Sequence, residues 1–390
     1  MQNESSKTGK KRTGVIGWLI FFALIAGGLY LFLILRPRWS TPLGPSLQLP
    51  THTPTVETPT STPEAPAMEG QTLSTPQAIP STSLPTATAL VSSPTPEPFC
   101  GGPAEMVILG IGADSDFEYR YGLADAIRVA RVDFLDARIT VLSIPRDLWV
   151  EIPEIEEHYG ITHGKLNQAY FYGSPGMGYY EGPGEGPGLL ARTLDLNFGL
   201  RVDHYGAVNM DTFARIVDAV GGIEIYLPND VDGRPIDDQT EDMGYFYAGQ
   251  QHFTGDEALR FSRIRKKYND LTRMDNQNLV LCSLRDKLTS PSVLPKIPQI
   301  IGAFQGAVQT DLSLEQLTQL ACLLPHMDPD NLIFASFPEA MLKPSRAYSE
   351  ALKGETFVLD VENAEIREYV KKFLDGSWPT ASESKESTCP

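Results

Sequence analysis

Between Gly14 and Leu35 the chain runs for 22 residues, GVIGWLIFFALIAGGLYLFLIL, without a charge. At about 1.5 Å rise per residue, such a helix spans the ~30 Å hydrocarbon core of a bilayer. Lys7, Lys10, Lys11 and Arg12 precede it, whereas only Arg36 and Arg38 follow closely. The positive-inside rule then places the N-terminus in the cytoplasm and the rest outside. A cleaved signal peptide is the alternative, but its apolar region is normally shorter and ends in an A-x-A-like site. Thr41 to Pro98 follows, dominated by Pro, Thr and Ser, as in PTVETPTSTPEAPA and SPTPEP. Proline removes backbone donors, and too little apolar surface is present to bury. This stretch is expected to be an extended stalk. A folded core must therefore be built after residue 99.

The remaining region alternates strand and helix signals. Met106–Ile111 is a short apolar run, and Ala126–Val132 with Ile139–Ile144 reads as a hairpin turning at Asp133–Arg138. Leu189–Asn197 reads as helical and His204–Met210 as a strand. Asp211 is placed to cap a helix that stops at Gly221–Gly222, before the strand Ile223–Leu227. Thr254–Arg265, Arg273–Leu288 and Leu312–Leu324, the last capped by Asp311 or Ser313, read as helices. A late strand over Asn331–Phe337 and a helix around Ala364–Leu374 complete the pattern. This predicts a single mixed α/β domain, with a central β-sheet flanked by helices. Gly173–Gly188 and the acidic Asn229–Gly249 read as loops.

Four cysteines, Cys100, Cys282, Cys322 and Cys389, show no C-x-x-C spacing, so a zinc site is not expected. In an exported domain an even number suits two disulfides, with buried free thiols as the alternative. Cys100 and Cys389 bracket the folded region and Cys282 and Cys322 lie inside it, so the expected pairs are Cys100–Cys389 and Cys282–Cys322.

The formal net charge is −17, yet RFSRIRKKYNDLTR (Arg260 to Arg273) concentrates six basic residues against one acid. Arginine forks bind phosphate oxygens bidentately, so the cluster points to an anionic ligand; a solvated helix face is the competing reading. Other chemistries lack their residues. Gly110-Ile-Gly112 follows a strand but has Ser115 where a dinucleotide fingerprint needs its third glycine. No GK[ST], H-E-x-x-H or G-x-S-x-G occurs. The acidic loop lacks the calcium-loop spacing. One basic spot in an acidic chain does not make a nucleic-acid surface.

What remains is a constellation. Asp114 follows the first strand, Asp125 precedes the second, and Arg146 and Asp147 follow the third in VLSIPRD. Arg263, Arg265 and Arg273 follow in the basic island, with Gln277 one helical turn further on. Carboxylates at strand ends suit Mg²⁺, and arginines suit a polyanion, which together describe a metal-assisted phosphoryl-group site.

Quoted in order, MVILGIGAD, VLSIPRD, KLNQAYFYG, VDHYGAVNMDTFARIVDAVGGIEIYLP, GQQHFTGDEALRFSRIR and RMDNQ give the chain a clear likeness. It resembles the LytR-CpsA-Psr (LCP) family of bacterial envelope proteins over roughly Met106 to Leu288. The resemblance implies transfer of an anionic glycopolymer from an undecaprenyl-pyrophosphate carrier to peptidoglycan, assisted by Mg²⁺. It implies Asp114 and Asp125 at the metal, and Arg146, Arg263 and Arg265 on the pyrophosphate. Arg273 and Gln277 match later site residues, and Asp147 and Lys165 are weaker matches. Asp114 or Asp147 is the candidate acceptor of the hydroxyl proton. Val208, Phe213, Ile216 and Val220 are candidates to line a lipid cavity. The family's Arg-Ser-Asp is Leu123-Ala124-Asp125 here, which leaves Arg120 or Arg128 to replace the missing arginine. The chain then divides into a cytoplasmic tail (1–13), a transmembrane helix (14–35) and a Pro/Thr/Ser-rich linker (36–99). An LCP-like domain (100–288), a C-terminal extension packed on it (289–375) and a loose tail (376–390) follow. Two other functions stay open: a polyprenyl-pyrophosphate hydrolase, and a non-catalytic binder of polyprenyl lipid or wall polymer.

Overall fold

The apolar alternation of the first strands continues further than expected. In a computed structural model, β1 spans Glu105–Ser115, β2 Gly122–Asp133 and β3 Arg138–Ile144. Asp114 and Asp125 therefore lie inside β1 and β2 and not beside them. The structure describes residues 39–49, 97–238, 240–264, 270–304, 306–380 and 389. The 14–35 run, most of the linker, Arg265 and nearly all of the 376–390 tail beyond residue 380 lie outside these. Among the described residues no helix is long and apolar enough to cross a membrane.

After the hairpin come β4 (Trp149–Glu151), β5 (His163–Lys165), α1 (Leu166–Gly173), α2 (Glu185–Phe198) and β6 (His204–Asn209). Next are α3 (Met210–Ala219), β7 (Ile223–Leu227), β8 (Val231–Asp232), β9 (Tyr245–Phe246), β10 (Gly249–Phe253), α4 (Gly255–Arg263) and α5 (Asp270–Thr289). The chain closes with α6 (Ile297–Phe304), β11 (Gln309–Thr310), α7 (Leu314–Leu323), β12 (Leu332–Ser336), β13 (Lys343–Ser349), β14 (Gly354–Asp360) and α8 (Asn363–Leu374). The central mixed sheet has the order β11-β6-β1-β2-β3-β12. β1 pairs antiparallel with β2 and parallel with β6, and β12 runs parallel to β3. Both β11 and β12 come from residues 289–375, so that stretch supplies the two edges of the central sheet.

Local chemistry sets the helix starts. Thr254 and Glu257 cap α4 reciprocally, and Ser313 and Gln316 do the same for α7. For α3 the cap is Asn209, whose side chain accepts from Thr212 N at 2.8 Å, and not Asp211, which lies in the first turn. Asn is the better choice because an N-cap needs extended backbone, which Asn209 has at φ −82° and ψ 170°.

The two faces of the sheet differ. Leu109, Ile111, Ala113, Val129, Leu142 and Tyr205 point into the main core, with α1, α2 and α8 packed over them. Alternate residues face the other way, toward α3, α4, α5 and α7. The first part of the expected stalk, residues 41–49, packs on the domain instead. Leu47 is 2% exposed in the main core, and Leu43 N donates to Leu312 O at 3.2 Å. Its apolar residues find a groove on the domain, which a Pro-rich composition does not reveal.

The cysteine pairing expected from sequence is wrong. The disulfides are Cys100–Cys322 and Cys282–Cys389. Cys100 sits under α7, which carries Cys322, whereas Cys282 on α5 faces β12 and receives the C-terminal segment. Bracketing positions in sequence say nothing about which helix a terminus crosses. Peptide mapping without reductant should recover these two links and no others. Closing loops of 222 and 107 residues, each should stabilise the fold by roughly 2–4 kcal/mol, so reduction should lower the Tm clearly.

Candidate active site

Between the second face of the sheet and α3, α4 and α5 lies a cavity of about 490 Å³. Glycine makes its floor. Gly110 on β1 pairs with Gly206 on β6, and a Cβ on Gly206 would meet nothing within 4 Å. Val208, Phe213, Leu259, Val280 and Leu281 give apolar walls. Of the four lipid-lining candidates, Val208 and Phe213 face the cavity, while Ile216 and Val220 do not line it. The 232–243 part of the acidic loop forms the remaining wall with Asp232, Arg234, Thr240, Glu241 and Met243.

The charged groups gather around Asp125. The β1–β2 register passes from Gly112↔Ala126 to Ala113↔Ala124, so Asp125 is the extra residue of a β-bulge. The bulge turns its carboxylate to the cavity wall, where Arg146 donates to it from Nη1. Arg146 also lies 3.6 Å from Asp147, whose other oxygen accepts from Lys165 Nζ at 2.8 Å. Asp147 thus orients Arg146 and Lys165, which suits a positioning group better than a proton acceptor. Arg146, Asp147 and Lys165 stand behind the cavity wall and reach it through Asp125.

On the helical side, Arg263, Arg273 and Gln277 line the same cavity. Arg263 forks onto Glu241 with contacts of 3.3 and 2.9 Å. Arg273 is 6% exposed. Arg265, Lys266 and Lys267 lie outside the described residues, and Arg260 turns away to Asp256 and Met243 O. Asp114 is exposed and does not line the cavity, although it pairs with Leu123 immediately before the bulge. Asp125 on the wall is a carboxylate of the kind that holds Mg²⁺ together with substrate phosphates, and Asp114 lies on the adjacent strand.

Two cavity residues were not expected. Glu241 was counted only as part of an acidic loop. Arg128 was named only as one of two replacements for the arginine missing at Leu123. Arg120 is excluded from that role, because it is exposed and pairs with Asp116 and Glu118. Arg128 lines the cavity, and burial, together with the neighbouring Arg273, lowers its pKa to about 10. It still carries its charge at neutral pH. The available signal was a charge in the alternating run AIRVARV, where even positions share one face.

The LytR_cpsA_psr family model matches residues 100–371. The chain belongs to this family. It is 29% identical over 219 residues to the polyisoprenyl-teichoic acid–peptidoglycan teichoic acid transferase TagV of Bacillus subtilis, covering 55% of this chain and 51% of that protein. It is 32% identical over 216 residues to the TagU transferase of Oceanobacillus iheyensis, covering 55% and 61%. The crystal structure of B. subtilis TagV shares the fold at a TM-score of 0.51 and 24% identity, over 72% of this chain and 98% of that one. The matched stretch spans about half to three fifths of these curated relatives.

The Arg263–Glu241 pair occupies one side of the cavity, and with Glu241 62% exposed such a pair is worth at most about 1 kcal/mol, so it is weakly held against a competing anion. Glu241→Ala should tighten inorganic pyrophosphate binding by about two- to five-fold in titration calorimetry. Unchanged affinity would mean that the fork does not bind the anion.

Proposed function

We propose that this protein is a membrane-anchored phosphotransferase. It moves an anionic glycopolymer from an undecaprenyl-pyrophosphate carrier to peptidoglycan, with Mg²⁺ assisting. The observation that carries this reading is one cavity, apolar along its walls and charged at one side by Asp125, Arg128, Arg263, Arg273 and Gln277. Such a cavity matches a ligand with a hydrocarbon tail and a diphosphate head. The relatives' names support the polymer and acceptor classes. The 14–35 run supports an anchor, with the domain outside the membrane.

In this mechanism an acceptor sugar hydroxyl attacks the phosphorus on the glycopolymer side. The bond to the bridging oxygen breaks, a phosphodiester forms, and the lipid phosphate leaves, taking up the proton that the hydroxyl gives up. Negative charge grows on that leaving phosphate. Arg263, released from Glu241, and Arg273 neutralise it with guanidinium donors that line the cavity. Mg²⁺ would be held by Asp125 with Asp114 and would supply further neutralisation of phosphoryl oxygens. Arg146, fixed by Asp147, keeps Asp125 oriented toward the cavity. Arg265 is a further candidate donor from the family pattern.

The test uses the full chain in detergent with a polyprenyl-pyrophosphate-linked glycan, Mg²⁺ and peptidoglycan. Transfer should appear as a glycan-linked phosphodiester. Free phosphorylated glycan would instead indicate a hydrolase, and tight binding without turnover a binder. Arg263→Ala should lower turnover by about 10²–10³-fold, as loss of a charge-stabilising donor does. Gly206→Leu should narrow the cavity from its floor without removing any charged group. It is expected to raise KM for the lipid substrate at least tenfold, and a wild-type KM would refute the lipid cavity.

A further inference from the structure

Arg128 is only 9% exposed, yet its hydrogen-bond partners among the described residues are all neutral. Nη1 donates to Ser143 Oγ on β3 and to Asn278 Oδ1 at 2.6 Å. Nη2 donates to Met274 O at 3.3 Å and to Gln277 Oε1 at 2.9 Å. Three of these four partners lie on one stretch of α5. Gln277 in turn donates from Nε2 to Ser262 O at 3.3 Å on α4. One guanidinium on the sheet thus ties together the two helices that carry Arg263 and Arg273. Ser262 precedes Arg263, and Arg273 lies one turn before Gln277.

Such a tie does not by itself call for a charge. A buried cation without a carboxylate partner is costly, and an apolar side chain of similar volume would pack the same space at no such cost. Here the cost is compounded, because Arg273 lies close enough to depress the pKa of Arg128, and Asp275 opposes it only in part. The positive charge also lines the cavity directly, on the strand pair that carries Gly110 and Asp125.

Resting on the transferase reading above, we infer that Arg128 is both a positioning residue and a charge selector. It holds Gln277 and the arginine-bearing helices against the sheet, and it makes the cavity prefer a tail that ends in a diphosphate over the same tail without one. In this chain it answers for the arginine absent at Leu123, although it approaches from deeper in the sheet.

The experiment measures binding of farnesyl pyrophosphate and of farnesol to the full chain in detergent, for wild type, Arg128→Met and Arg128→Lys, with Tm recorded for each. Wild type should prefer the pyrophosphate. Arg128→Met should lose at least tenfold affinity for farnesyl pyrophosphate while farnesol binding stays within twofold, and a cooperative melting transition verifies that the variant is folded. Arg128→Lys restores the charge without the fork and should fall between the two. Wild-type pyrophosphate affinity in Arg128→Met overturns the inference. So does an equal loss for both ligands, which marks a purely architectural role. Absence of any pyrophosphate preference in the wild type would instead refute the transferase reading itself.

Discussion

Opposite faces of one sheet are filled so differently that the rest of the structure follows from the contrast. On one face Leu109, Ile111, Val129, Leu142 and Tyr205 are at most 2% exposed and carry the main core. On the other, Gly110 and Gly206 stand side by side and leave the backbone bare. Close packing would normally erase such a gap, since protein interiors hold few voids larger than water. Helices α3, α4 and α5 nevertheless bridge it without filling it, and the cavity is the result.

Charge is then distributed around that space in two nets. One runs Asp125–Arg146–Asp147–Lys165 with alternating signs. It fixes the bulge carboxylate. The other runs Ser143–Arg128–Gln277–Ser262 and is positive with neutral partners. In a partly apolar cavity the effective dielectric is low, so the second net favours an anion more than exposed lysines would. The pair of nets places a carboxylate and guanidinium groups around one volume.

Much of this was legible in the chain. The strands MVILGI, IRVARVD and RITVLSI alternate or cluster apolar residues plainly, and they are β1, β2 and β3. The basic island was legible because composition did not predict it, and Arg263 and Arg273 do line the cavity. Asp125 was identified, but its position was not. A bulge is one residue inserted against a partner strand, and a single sequence does not show the partner's count. Arg128 and Glu241 were underread for a related reason. Their neighbours in the cavity lie on elements more than a hundred and about twenty residues away, respectively. The start of α2 was obscured by glycine-rich sequence that composition assigns to a loop.

By itself the sequence determined the uncharged 14–35 run, the α/β alternation after residue 99 and the family signature. These depend on local hydrophobicity, backbone propensity and short spacings, which neighbouring residues express without the rest of the chain. Only the tertiary structure decided the disulfide partners, the entry of residues 309–310 and 332–336 into the central sheet, and the docking of Leu47. It alone also decided that Arg128 faces the same space as Asp125. Each of these depends on which surfaces meet across large sequence separations, where burial and geometry choose among pairings that composition leaves equal.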